Sequence, residues 1–158
     1  MTQHMSQEDI RLTEGEDGLE GKVYSALFDQ VVTLFAADAD LVFARRCAVH
    51  LNQLSDEVVE HLCRSTVHYC DAFLSEVGEP LIEFAAPRDV LKLVTPQVLI
   101  VPCPEKQTPV VHLELECDWE PEHGLEWVVR EDKVLYVGPF NDEDPWGSFT
   151  PKNVWNFA

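Results

Sequence analysis

The sequence predicts an α+β fold, with an N-terminal helical layer packed on a C-terminal antiparallel sheet. Three observations carry that expectation. Apolar residues recur at helical spacing through the first half of the chain, the period changes to two after Pro96, and Gly and Pro punctuate the change. The 158 residues are enough for one domain with a sizeable core, and 46% of them are hydrophobic.

Residues 1–19 are polar and acidic with almost no apolar pattern. They read as a disordered tail ahead of a single α+β domain over residues 20–158. From Val23 the spacing predicts a helix, with Val23, Leu27, Val31 and Leu34 on one face. A second helix is expected over residues 38–51, with Leu41, Ala44, Ala48 and Leu51 inward and Asp38 as its cap. The third is the best marked. Ser55 suits the N-cap, Asp56 and Glu57 suit the positive end of the helix dipole, and a wide apolar stripe runs from Val58 to Val77. Gly78 stands where a left-handed C-terminal cap belongs, and Pro80 forbids continuation. Arg88–Val94 predicts one or two helical turns between Pro87 and Pro96.

Val98–Val101 is a continuous apolar run of the kind a buried strand needs. Val111, Leu113, Leu115 and Cys117 then alternate with His112, Glu114, Glu116 and Asp118, the pattern of a half-buried strand. Leu125–Arg130 and Lys133–Gly138 complete a meander through a tight turn at Glu131-Asp132. Trp146, Phe149, Trp155 and Phe157 follow in a loop-rich end that is expected to fold back and dock its aromatics.

The formal charge is −18, from 11 basic and 29 acidic residues. Such a surface repels nucleic acid and anionic lipid and attracts basic proteins and divalent cations. No run approaches the ~18–20 apolar residues that span a bilayer, and the first residues lack the pattern of a secretory signal. A cytoplasmic location is therefore expected. Five cysteines without a C-x-x-C pair read as buried, reduced thiols.

The densest stretch is CDWEPEHGLEW, residues 117–127. Residues 114–144 hold eleven acids and two bases. Glu114, Glu116, Asp118, Glu120, Glu122, His123 and Glu126, together with Trp119, form the candidate partner-binding surface. The same region allows a metal or acid–base site built from His112, Glu114, Glu116, Glu122 and His123, since carboxylates and imidazoles suit hard or borderline cations. No spacing there matches an established metal or catalytic motif, and alternating acids also suit a merely solvated sheet face. No cofactor is expected. Trp119 and Trp127 read as core or loop anchors. His61 and His68, seven apart, lie ~10 Å apart along a helix and read as surface histidines.

The run HLELECDWEPEHGLEWVVREDKVLYVGPF, with Pro145-Trp146 and the closing WNFA, resembles an uncharacterised bacterial family. The resemblance extends upstream over most of residues 50–158 and carries no catalytic residue with it. The chain is also similar in size and acidity to immunity partners of bacterial toxins. That likeness implies a cytoplasmic, non-enzymatic binding protein that neutralises a basic, nuclease-type toxin by filling its cationic cleft. The alternative is a small metal-binding protein or hydrolase using the His/Glu cluster.

Overall fold

The computed structural model describes residues 10–158 and has a mixed α+β fold. Strands β1 (Arg11–Gly15), β2 (Gly18–Ser25) and β3 (Gln30–Ala36) come first. Helices α1 (Leu41–Leu51) and α2 (Asp56–Val77) and a 3₁₀ segment (Pro87–Leu93) follow. Strands β4 (Val94–Ile100), β5 (Val110–Cys117), β6 (Leu125–Arg130) and β7 (Lys133–Gly138) complete one seven-stranded sheet in the order β1 to β7. Every neighbouring pair is antiparallel except β3 and β4, which run parallel across the helical crossover.

The helices thus precede β4–β7 as expected, but three strands precede the helices, and this corrects two expectations. The segment from Val23 is a hairpin, not a helix. Its i, i+4 apolar spacing coincides with a second pattern in which Val32, Leu34 and Ala36 turn inward and Val31, Thr33 and Phe35 turn away. β-branched residues favour the pleated form, and pairing with β4 decides it. The turn lacks Gly, Pro and Asn. Asp29 supplies the left-handed residue at φ 50°, and Asn52, just past α1, accepts from Ala26 N at 2.8 Å and donates to Tyr24 O at 2.7 Å.

The second correction concerns the tail. Residues 11–19, read as disordered, form β1, a turn and the start of β2, while residues 1–9 lie outside the described residues. The strand needs little apolar pattern because a backbone ladder holds it, with Ile10 buried and Leu12 packed against the core. Gly21 makes the close approach possible, since a Cβ there would lie 2.1 Å from Arg11 O.

The α2 boundaries are those the sequence marks. Ser55 Oγ accepts from Val58 N at 3.2 Å, and Gly78 takes φ 75°. For α1 the cap is Asp40, not Asp38, with its carboxylate accepting from Phe43 N at 2.7 Å.

One row of side chains crosses five strands. Leu34, Leu99, Leu113, Trp127 and Val137 are consecutive cross-strand partners, all fully buried. Trp127 Nε1 donates to Thr66 Oγ1 of α2 at 3.0 Å, so α2 lies over this face. Trp127 is therefore core, as expected. Cys47, Cys63, Cys70 and Cys117 are buried, and burial pushes the Cys117 thiol up to about 12; Cys103, expected to be buried too, is exposed.

Two outcomes follow from this architecture. Removing residues 10–17 should lower the unfolding free energy by about 2–4 kcal/mol, the burial lost at Ile10 and Leu12 together with the ladder; urea melts compare it with the full chain. Thr66→Val strands the indole N–H and should cost about 1–3 kcal/mol by the same assay, without changing the fold.

Candidate functional site

Strand alternation sends His112, Glu114 and Glu126 to the face opposite the helices, as expected. Glu114 pairs directly with Glu126, and His112 lies diagonal to it, opposite Val128. Solvent does not cover all of that face. The chain after β7 turns back across it. Asn141 N and Glu143 N donate to Glu126 Oε1 and Oε2, both at 2.7 Å, and Arg130 donates to Pro145 O at 3.0 Å. The ring of Phe149 meets Tyr136, with centroids 6.4 Å apart. His112 and Glu126 are consequently sealed in, with Nε2 and Oε2 2.5 Å apart. Neither can meet a partner or a soluble metal, which corrects the placement of Glu126 in the binding set and of His112 in the metal set. Burial, then the adjacent Glu126 carboxylate, pushes the Glu143 carboxyl above the usual range.

The turn between β5 and β6 is built more tightly than its composition suggests. Trp119 is buried edge-on against Tyr69, with centroids 5.7 Å apart at 77°. Gly124, at φ 66°, donates to Glu120 O at 2.9 Å and accepts from Tyr69 Oη at 2.9 Å. Glu120 folds inward. Its Oε1 accepts from Glu122 N at 3.1 Å, and its Oε2 lies 2.9 Å from His123 Nδ1. Burial pushes the Glu120 carboxyl up, but the His123 ring and the amides of Glu122 and His123 outweigh it and hold it below the usual range. The same contact raises the pKa of His123.

Ligand atoms of Glu120, Glu122 and His123 lie within 4.8 Å of one another. Of the five residues in the metal alternative, this brings together only Glu122 and His123. Glu114 is half-buried, and Glu116 is exposed on β5. Asp118 is exposed as well, so the acids available to a partner include Glu116, Asp118 and Glu122.

Next to this turn lies a groove of about 480 Å³ that sequence reasoning missed. Its apolar walls come from Phe73 of α2 and from Val154, Trp155 and Phe157, while Glu76, Glu120 and His123 stand among them. Phe157 docks as expected, stacked on Tyr69 with centroids 5.5 Å apart. Trp155 and Val154 stay open, 42% and 89% exposed. The signal was present in the sequence as two apolar residues, Val154 and Trp155, within a polar stretch, but their partner Phe73 is some eighty residues away. A smaller recess of about 260 Å³ lies on the other side of His123, lined by Glu114, Glu116, Pro121, Glu122 and Phe140.

The chain belongs to the family DUF6985, a domain of unknown function, which it matches over residues 9–145. No curated protein and no solved structure matches it. Among the described residues no helix is long and apolar enough to cross a membrane.

Glu126→Ala should cost about 3–5 kcal/mol in chemical denaturation, because it leaves His112 and two backbone amides buried without their acceptor; Glu122→Ala, on the exposed turn, should stay within about 0.5 kcal/mol. The Glu120–His123 contact also has a pH signature. With the His123 pKa raised on folding, the stabilisation is complete below about pH 6.5 and is lost as pH rises through the folded value. With the Glu120 pKa lowered, the stabilisation is complete above about pH 4.3 and is lost as pH falls through the folded value. In Glu120→Gln the His123 ring should titrate at a lower pH than in the wild type, read from its ring-proton resonances by NMR.

Proposed function

We propose that this domain is a binding protein that takes a cationic protein partner on the surface formed by the groove and the 118–124 turn. The observation that carries the reading is the pairing of two features in one place. Half-exposed Trp155 and open Val154 offer an apolar anchor with Glu76 in the same groove, and the neighbouring turn and the end of β5 carry the exposed acids Glu116, Asp118 and Glu122. Aromatic anchors in a partly desolvated groove supply most of the affinity in such interfaces, and the surrounding charge steers encounter. The net charge of −18 extends that steering field beyond the contact itself.

The partner class that fits best is a nuclease-type toxin. Its catalytic cleft must be cationic to hold phosphates, and a carboxylate-rich surface fills such a cleft. On this reading the domain is the toxin's immunity protein, acts in the cytoplasm, and works by occlusion rather than catalysis. A second reading rests on the Glu120, Glu122 and His123 cluster, whose donor types suit a divalent cation. It is weakened because both Glu120 oxygens already accept hydrogen bonds within the turn.

Affinity capture at low salt identifies the partner, and two variants test the surface. Trp155→Ala should raise Kd about tenfold or more through faster dissociation. Glu116→Lys/Asp118→Lys/Glu122→Lys should slow association about tenfold at low ionic strength, with the difference shrinking as salt is added. A partner that binds both variants as it binds the wild type overturns the proposal. Equilibrium dialysis with zinc and manganese decides the second reading: stoichiometric binding that His123→Ala abolishes would favour it.

A further inference from the structure

The apolar groove beside the β5–β6 turn carries one uncompensated acid. Tyr69, Ala72, Phe73 and Glu76 share a face of α2 and form its floor. Tyr69 marks the closed end, buried under the stacked ring of Phe157 and bonded to Gly124 O of the turn. Glu76 is exposed two turns further on, about 10 Å along the helix axis. Among the described residues its carboxylate takes part in no ion pair and accepts no hydrogen bond. The helix sharpens this charge. Glu76 lies in the last turn of α2, at the negative end of the dipole, where no basic residue stands. The other charged groups of the lining, Glu120 and His123, are already bonded to each other at the turn.

The opposite wall is an aromatic platform with a fixed backbone. Phe157 N donates to Val137 O at 2.8 Å, and the Asn156 side chain bonds both Val137 N and Leu135 O. A Cβ on Gly138 would lie 2.2 Å from Trp155 O, so the chain at Trp155 lies tight against the end of β7. Trp155 is nevertheless 42% exposed, and among the described residues no aromatic ring pairs with it. A held indole and an unpaired carboxylate thus line one groove.

We propose that this groove receives an arginine side chain of the cationic partner, with the guanidinium on the Trp155 ring and bonded to Glu76, and with a neighbouring apolar residue against Phe73 and Val154. The inference rests on the binding reading above and names the residue that the surface selects. A guanidinium is planar and weakly hydrated, stacks on an indole face and presents paired donors to a carboxylate. A lysine ammonium is more strongly hydrated and offers only a point charge, so it matches a half-open aromatic groove less well. A purely apolar side chain would fill the walls but desolvate Glu76 without giving it a donor. At about 480 Å³ the groove is larger than one side chain, which is why the residue beside the arginine belongs to the site.

The test uses the full chain and three blocked tripeptides: acetyl-Leu-Arg-Leu-amide and its lysine and citrulline analogues. Binding is read from the indole N–H resonances by NMR, with Trp155→Phe assigning the Trp155 signal among the four tryptophans. The arginine peptide should shift that signal saturably. The lysine analogue should bind about threefold or more weaker, and the citrulline analogue, which keeps the shape and loses the charge, about tenfold or more weaker. Glu76→Gln should weaken the arginine peptide about tenfold. Glu57→Gln, exposed about 28 Å away along α2, should leave it unchanged. Lysine or citrulline peptides that bind as tightly as the arginine peptide overturn the proposal. So does an unmoved Trp155 signal, or undiminished binding by Glu76→Gln. The citrulline comparison is made on the wild type, so it decides the case even if the Glu76 variant is unstable. If the captured partner loses affinity for Trp155→Ala while the peptides show no preference for arginine, the binding surface stands and its arginine selectivity falls.

Discussion

Trp127 ties the two layers together. Its side chain sits in the middle of the row that runs from Leu34 to Val137, so it is gripped by strands on both sides. Its one polar atom is satisfied by Thr66, whose hydroxyl in turn donates to Leu62 O at 2.7 Å within α2. That hydrogen bond favours one rotation and one height of α2 over the sheet. Phe28, from the β2–β3 turn, meets the same ring with centroids 5.7 Å apart, so the N-terminal hairpin packs on the same residue. Tyr69, one helical turn beyond Thr66, is thereby aimed at the β5–β6 turn, where it holds Gly124 and Trp119.

The C-terminal segment does the complementary work from the other side. It first crosses the face that carries His112 and Glu126, giving two amides to the carboxylate. It then runs beside β7, where Phe157 N donates to Val137 O at 2.8 Å and Asn156 bonds both Val137 N and Leu135 O. This covers a sheet edge that would otherwise be open for pairing with another chain. It ends on the helical side, with Phe157 against Tyr69. One segment therefore seals a buried ionisable pair, protects an edge and separates two recesses.

Phe157 stands between two recesses with different linings. On one side of Phe157 lie an open tryptophan and exposed acids; on the other, arginine, lysine and two histidines. Both recesses rest on α2 and on the same C-terminal residues, so their shapes depend on the same docking.

Helix α2, the β5–β6–β7 meander and the core role of Trp127 were legible in the sequence. Caps, alternation and long apolar stripes are local signals, and nothing tertiary opposes them here. The hairpin of β2 and β3 was not legible, because its apolar spacing fits two periods and its turn carries none of the usual residues. Parallel pairing with β4, some sixty residues away, settled it. β1 was hidden for a different reason: a backbone ladder leaves little trace in composition. At the site, the sequence determined that acids and imidazoles would be dense around the 118–124 turn. Only the tertiary structure decided which of them meet solvent. His112 and Glu126 share a face with Glu114, but alternation assigns a face and does not say what covers it. The segment that buries them, and Phe73, Trp155 and Phe157 that make the neighbouring groove, come together from distant parts of the chain. Their contact depends on packing that no local pattern encodes.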